Sequence, residues 1–416
     1  MAEDQLKRSV LSLTVVVAAL GYFVDIYDLQ LFNLVAEKSL NGIGITDPKQ
    51  LGELNYVLFL FQMGGMLLGG LIWGVLGDKQ GRKSILFGSI LLYSLANIAN
   101  GFVVSVPQYE AARLIAGLGL AGELGAAITL VSETMGKEHR GWGTMVVVTV
   151  GALGAVAANL IAKNFTWQVS YFTGGGLGLA LLALRVGTFE STMFSKTKAS
   201  TALRGNFLLL FSTRETFLRY LACISVGLPV WYMIGVLIKF APTFATATGV
   251  TGGKASAGDA IMWAYVGLSV GDLISGALSQ WLRSRRKVVG IYLGSSLILC
   301  LAYMYLPGLS LSAFYVLAFL LGAATGYWAL FVSIAAEQFG TNIRATVTTT
   351  VPNFVRGAVI PITLSYKALE ASSSSVTSAL VVGAVCLLLA AVSTWYLKET
   401  FGKDLDYLEG AVAPSP

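Results

Sequence analysis

Charge is scarce in this sequence. Of 416 residues only 12% are Asp, Glu, Lys or Arg, about half the share of an ordinary soluble domain. So few charges cannot cover the surface of a 44.0 kDa chain with water-facing groups. A soluble enzyme, a nucleic-acid binder and a disordered chain are excluded on that ground. Histidine is almost absent: His139 stands alone in a charged segment. The three cysteines, Cys223, Cys300 and Cys386, each lie inside an apolar run, and none belongs to a Cys-x-x-Cys pair. A metal site and a disulfide framework are therefore not expected. No phosphate-cradling Gly-rich loop followed by Lys is present, nor a nucleophile–base pattern, so no catalysis and no cofactor are expected.

What is abundant is apolar sequence: 55% of residues are hydrophobic, and the mean hydropathy is +0.72. A helix needs about 20 apolar residues to cross a bilayer. Twelve such runs are read at 10–36, 53–77, 84–106, 109–132, 142–163, 168–188, 216–240, 259–282, 288–307, 311–336, 345–369 and 376–398. The expectation is an all-α polytopic membrane protein with twelve transmembrane helices in two pseudo-symmetric six-helix bundles. The first bundle is placed at 1–188 and the second at 216–398, with a polar central loop at 189–215 and a tail at 399–416. Lys7 and Arg8 before an apolar stretch resemble the start of a signal peptide, but the apolar character continues and eleven more runs follow. The first run is read as an uncleaved span. Twenty of the 28 basic residues fall on the side of the N-terminus and six on the other, with Arg113 and Arg356 inside spans. The positive-inside rule then puts both termini in the cytoplasm.

An internal repeat supports two related halves. Glu133-x6-Arg140 follows the fourth span and Glu337-x6-Arg344 follows the tenth. Both pairs are read as salt-bridge latches at helix ends, against the alternative of solvated surface pairs. Paired halves around a midplane site are the arrangement of secondary transporters.

The segment between spans 2 and 3 reads Gly74-Val-Leu-Gly-Asp78-Lys79-Gln-Gly81-Arg82-Lys83. It resembles the major facilitator superfamily signature G-x-x-x-D-[RK]-x-G-R-[RK]. That resemblance implies the twelve-helix fold and a latch between the halves made by Gly74, Asp78, Gly81, Arg82 and Lys83. The corresponding stretch of the second half, Gly276 to Lys287, lacks the Asp. Within the superfamily, Asp25-x-Tyr27-Asp28 in span 1 resembles metabolite:proton and aromatic-acid:proton symporters and synaptic-vesicle-2-like carriers. Arg113 to Glu123, Glu337-Gln-Phe and Asn353 with Arg356-Gly357 resemble the fourth, tenth and eleventh spans of those groups. The paired prolines of sugar porters after span 4 are absent. So is the proline of the exporter signature in span 5, where Gly151 and Gly154 stand without one.

Ionisable groups inside spans are costly and are functional candidates by default. Asp25 and Asp28 lie about 60° apart around one helix face. Asp28 is about 27 Å along span 1, at a depth that Arg113 shares on the antiparallel span 4. The pair reads either as a proton switch, which the resemblance favours, or as a static tie between helices. Asp25 reads as a second proton carrier, a substrate ligand or a structural partner, and Glu123 as a relay or a structural partner. Arg356 sits between Pro352 and Pro361, which bend a helix. It reads as a ligand for a substrate carboxylate, with pairing to Asp272 of span 8 as the alternative. Asp259 reads as a helix N-terminal charge. Among aromatics inside spans, Tyr27, Tyr232, Tyr327 and Trp328 are the candidates for lining a cavity.

The reading is a proton-coupled symporter of a small organic acid, working by alternating access. Protons would bind at Asp28, with Asp25, Arg113 and Glu123 taking part. Tyr27, Arg113, Tyr232, Tyr327, Trp328 and Arg356 would form the substrate site. Its alternatives are a proton-coupled exporter, an uncoupled uniporter and a non-transporting membrane receptor; the last needs no intramembrane acids. The resemblance implies a monomer in the lipid bilayer of a bacterial inner membrane or equivalent plasma membrane. Its partners would be protons and an organic anion, with no nucleic acid.

Overall fold

A computed structural model describes residues 13–80, 82–135, 140–189, 206–340 and 342–402. Seventeen α-helices occur among them, and the only strand-like pairing described is an isolated bridge between Thr251 and Ser310. In the first half they are α1 Leu13–Gly42, α2 Pro48–Gln80, α3 Arg82–Asn100, α4 Val106–Leu120, α5 Glu123–Thr134, α6 Arg140–Ala152, α7 Gly154–Asn164 and α8 Trp167–Phe189. In the second half they are α9 Arg214–Tyr232, α10 Ala241–Ala247, α11 Ala257–Leu282, α12 Arg285–Tyr305, α13 Leu311–Ala324, α14 Trp328–Gln338, α15 Arg344–Gly357, α16 Val359–Glu370 and α17 Ser375–Tyr396. Helices α4 with α5, α6 with α7, α13 with α14 and α15 with α16 each continue one another. The helices thus form twelve membrane-spanning rods with α10 as a short cap. Eight rods pass for membrane spans on length and hydropathy alone.

The breaks within rods have local causes. Pro229 lies inside α9, and the turns beyond it open into a π-helical stretch, Met233–Ile238, as a lost backbone donor allows. Span 11 breaks at Ala358, between Pro352 and Pro361. Span 10 breaks at Thr325–Tyr327, where Gly326 lies against the backbone of Gly271 and leaves no room for a Cβ. The rods also outrun the apolar stretches read from sequence: span 1 continues to Gly42 and span 2 covers Pro48–Gln80.

Helix α15 is the least apolar of the spanning helices, yet thirteen of its fourteen residues are buried. It contacts α2 and α9 rather than lipid. Two of its threonines satisfy themselves on the preceding turn: Thr348 Oγ1 donates to Arg344 O at 2.9 Å and Thr350 Oγ1 to Thr346 O at 2.7 Å, a habit of Thr in helices.

The two halves repeat one packing device. In the first, Gly65 of α2 faces Leu114 O and Gly117 of α4 faces Gln62 O. In the second, Gly267 of α11 faces Phe319 O and Gly322 of α13 faces Ala264 O. Each glycine lies where a Cβ would strike the partner's backbone, which cannot swing away as a side chain can. Without a strong hydrophobic force between helices in lipid, such close approach is what holds them together. Gly267→Val is therefore expected to destabilise the folded protein by about 1–3 kcal/mol, the range for overpacking. A lowered melting midpoint in detergent checks this. Gly290→Ala, inside α12 with nothing within 4 Å of a Cβ, is expected to raise the midpoint slightly, by the helix propensity of about 1 kcal/mol.

Candidate functional site

Two seals hold the halves together, one at each end of the bundle. The end where α1 begins and α17 finishes carries most of the basic residues and is here the basic end. There Asp78, at the last turn of α2, accepts from Ala345 N at 3.1 Å, Thr346 N at 2.8 Å and Thr346 Oγ1 at 2.6 Å. A carboxylate from the first half thus caps the N-terminus of α15 in the second, where free amides and the helix dipole favour negative charge. Gly74, one turn earlier, offers its carbonyl to Thr346 Oγ1 at 3.3 Å. A Cβ on Gly74 would press on the Thr346 backbone. Asn353 Nδ2 reaches across to Ala121 O at 2.8 Å. Gly81 and the side chains of Arg82, Lys83, Glu133 and Arg140 lie outside the described residues. Glu337 accepts from Arg285 Nη2 at 3.4 Å, and Arg344 Nε donates to Ala336 O at 3.2 Å.

Removing the cap at Asp78 should loosen this seal. A helix cap of this kind is worth about 1–2 kcal/mol, so Asp78→Ala is expected to raise thiol labelling of a Thr349→Cys reporter about tenfold. Thr349 is buried against Gly125 of the first half. Unchanged labelling would remove Asp78 from the seal.

At the opposite end Lys163 pairs with Asp259, linking α7 to the start of α11. Gln30 Nε2 donates to Tyr265 Oη at 2.6 Å. Lys239 Nζ stands 3.5 Å from the centre of the Phe59 ring, again between halves. By sequence Lys239 counts among outer loop charges, whereas here its ammonium is buried with no hydrogen-bond partner among the described residues.

Between the seals lies a small cavity of about 20 Å³, lined by Tyr22, Ile26, Trp231, Ile234, Tyr265, Trp328 and Arg356 among others. A void of this size holds about one water. Among the described residues, contacts between the halves lie on both sides of this cavity. Arg356 Nη2 meets Asp25 Oδ2 at 3.3 Å and Tyr22 Oη at 3.4 Å. Arg356 belongs to the second half and Asp25 to the first, so this buried ion pair spans the interface at the cavity wall. The alternative partner, Asp272, is instead occupied by Ala329 N at 3.0 Å, at the start of α14. Among the described residues Arg356 Nε and Nη1 and Trp328 Nε1 have no hydrogen-bond partner. Unmade bonds at buried donors cost about 1–3 kcal/mol each.

Asp28 turns the other way. The interface passes between Asp25 and Asp28, so a rotation of about 60° along α1 suffices to separate their surroundings. Asp28 is fully buried inside the first half beside Gly174, and among the described residues neither carboxylate oxygen has a hydrogen-bond partner. The nearby Arg113 does not touch it. Arg113 donates to Asn100 Oδ1 and Asn97 Oδ1, each at 3.2 Å, and to Gln62 Oε1 at 3.4 Å, and lies over the rings of Tyr171 and Phe32. The direct Asp28–Arg113 pair that helix depth allows is therefore absent in this state, because three neutral amides hold the guanidinium. Asp28 also lies at the middle of α1 rather than near its outer end, since the helix runs on to Gly42.

Glu123 has a full partner. Arg185 Nη2 and Nη1 meet its two oxygens at 2.5 and 3.0 Å. By sequence Arg185 sorts with the loop charges, yet its side chain is 1% exposed. Gly21 of α1 passes so close that a Cβ would strike this pair. Asp28, Asp25 and Gly21 thus set three charged clusters along α1.

Of the four aromatics expected at the cavity, only Trp328 lines it. Tyr27 Oη donates to Ser170 O at 2.9 Å, Tyr232 Oη to Ala379 O at 2.7 Å and Tyr327 Oη to Val226 O at 2.9 Å. Each spends its hydroxyl tying helices within one half. Tyr22, Trp231 and Tyr265 take the cavity positions instead.

The chain matches the Major Facilitator Superfamily over residues 11–363. It belongs to that family. Among curated relatives, it is 31% identical to a 3-(3-hydroxy-phenyl)propionate transporter of Escherichia coli K12, with 81% of each chain aligned. It is 28% identical to a probable 4-methylmuconolactone transporter of Cupriavidus pinatubonensis, over 78% of this chain and 76% of that one. Among solved structures it resembles the proton:xylose symporter XylE bound to 6-bromo-6-deoxy-D-glucose, with a TM-score of 0.72, 17% identity and coverage of 94% and 97%. It also resembles FucP in the outward conformation, with a TM-score of 0.70, 14% identity and coverage of 94% and 100%. The major facilitator fold is thereby shown, as is a multi-pass membrane transporter rather than an enzyme.

Proposed function

We propose that the protein is a proton-coupled symporter that imports a small organic acid by alternating access. The observation that carries the proposal is Arg356 at the wall of the central cavity, with two unspent donors beside the unspent indole N–H of Trp328. A guanidinium fork binds a carboxylate with two parallel bonds. Tyr22, Trp231, Tyr265 and Trp328 offer flat faces to a ring. The set suits an aromatic or unsaturated carboxylate, in keeping with the substrates named for the two relatives.

The coupling follows from the Asp25–Arg356 pair. A substrate carboxylate that takes the guanidinium releases Asp25 from its partner. An unpartnered buried carboxylate is expensive in its charged form and takes a proton. Asp28, buried without a partner, is the principal proton site, and Arg113 is its switch: contact favours the ionised form and withdrawal the protonated one. Glu123, held by Arg185, joins the chain of acids when that pair loosens. Opening the Lys163–Asp259 end admits acid and proton; opening the Asp78 end releases them. The halves are residues 1–188 and 216–398, joined by the loop at 189–215. The basic end, with both termini and the tail at 399–416, faces the cytoplasm of a bacterial inner membrane or equivalent, and the chain acts as a monomer. The remaining latch residues, Gly81, Arg82, Lys83, Glu133, Arg140, Glu337 and Arg344, act at that end.

Proteoliposomes with a trapped pH dye test this. 3-(3-Hydroxyphenyl)propionate, benzoate, nicotinate and xylose would be added outside in turn. Internal acidification with a carboxylate and none with xylose is the expected result. Solute uptake by mass spectrometry without a proton signal would leave a uniporter.

A further inference from the structure

A second concavity, much larger than the central cavity, lies on the outside of the second half. A groove of about 1150 Å³ runs up the outside of the second half from the basic end, between α12 and α17. Its floor is apolar. Gly290 and Gly294, one turn apart on α12, have nothing within 4 Å of where a Cβ would stand. Leu297 and Leu388 flank them, 47% and 65% exposed. From Arg286 to Leu297 the groove follows eleven residues of helix, about 16 Å at 1.5 Å per residue. That matches the hydrocarbon depth of one leaflet, about 15 Å.

The mouth is basic. Arg283, Arg286 and Lys287 line it, with Glu399 as the one carboxylate among the described residues. Glu399 is already committed: it accepts from Ser284 Oγ, from Arg285 N at 2.9 Å and from Arg286 N at 3.3 Å, capping α12. Arg286 is half spent on the carbonyls of Thr394 and Trp395. The side chains of Arg283 and Lys287 have no partner among the described residues. Arg283 moreover holds a left-handed backbone, φ 48°, where glycine is the usual occupant. The position keeps an arginine at a conformational cost.

We propose that this groove binds one anionic phospholipid, its phosphate against Arg283, Arg286 and Lys287 and an acyl chain along Gly290, Gly294 and Leu297. Cations at the membrane surface beside an apolar channel of leaflet depth complement a negatively charged headgroup on a hydrocarbon tail. The inference is independent of what the central cavity carries.

The test is native mass spectrometry of the full chain released from vesicles of equal parts phosphatidylglycerol and phosphatidylcholine. The wild type is expected to retain phosphatidylglycerol in preference. Arg283→Gln/Lys287→Gln is expected to cut that preference about thirtyfold, from about fivefold per surface charge. Gly294→Leu fills the channel without changing charge and is expected to lower retention of the lipid. Equal retention of the two lipids by the wild type would overturn the proposal, as would a preference that survives the double variant. So would displacement by millimolar inorganic phosphate, which has no acyl chain. Uptake of phosphatidylglycerol only after Asp404→Asn/Asp406→Asn/Glu409→Gln would also overturn it, giving the groove to the chain's own acidic tail.

Discussion

Asp28→Asn is expected to abolish uphill transport while leaving exchange of substrate across the membrane intact. Asparagine keeps the shape of the side chain and removes its one titratable proton site. In the wild type, an imposed gradient of 2 pH units at one proton per substrate supports accumulation of about a hundredfold, since each pH unit is worth about 1.4 kcal/mol. In the variant the ratio should fall to about one. Exchange should persist, because the gates do not contain Asp28 and the cavity wall does not include it. The asparagine also imitates the protonated acid, neutral and of the same shape. Among the described residues neither oxygen of Asp28 has a hydrogen-bond partner, so the fold already favours a neutral group there. The measurement is uptake of labelled carboxylate into proteoliposomes with and without the gradient, beside counterflow at equal pH. Gradient-driven accumulation in the variant would remove Asp28 from coupling.

The twelve spans were legible because a bilayer demands long apolar runs, and the one strongly polar span was still readable from its place in the order. The motif around Gly74 and Asp78 has a local physical sense, a small residue for close approach and an acid for a helix end, and both residues lie against α15. The site was less so, for three reasons that share a cause. Arg185 lies three residues before the expected end of span 6, where a basic side chain ordinarily snorkels to water; only the fold reveals Glu123 facing it. Asp272 and Asp25 are both acids inside spans, and nothing in the sequence says which one meets Arg356. Tyr22 and Tyr265 line the cavity while Tyr27, Tyr232 and Tyr327 do not, because these helices are apolar all round. Where a helix is buried on every side, amphipathic period carries no information about which face is which. The interface between the halves, running between Asp25 and Asp28, is a property of the assembly and not of either helix.

Arg356→Gln is expected to produce the largest loss of all, and a second substitution separates its two causes. Removing the guanidinium strands Asp25 as an uncompensated buried charge, which costs about 3–5 kcal/mol. It also removes the proposed ligand of the substrate. The single variant should therefore fold poorly and bind nothing, and alone it proves little. Asp25→Asn/Arg356→Gln removes both charges together. Neutral groups of matching shape at a former ion pair are often tolerated without loss of stability, so the double variant should recover a melting midpoint close to the wild type. It should not recover the ligand. A carboxylate at a hundred times its dissociation constant stabilises the wild type by about 2.7 kcal/mol, and this increment should vanish in the double variant. Asp25→Asn alone should behave differently: the guanidinium is then free, binding persists and the proton released or taken per substrate changes. Thermal shift against ligand concentration, run on the three variants and the wild type, distinguishes these cases. A ligand-dependent shift that persists in the double variant would place the carboxylate elsewhere, with Arg113 and Lys239 as two other buried cations to examine. Loss of the shift with recovered stability would leave Arg356 as the group that reads the acid, and Asp25 as the group that tells the proton the acid has arrived.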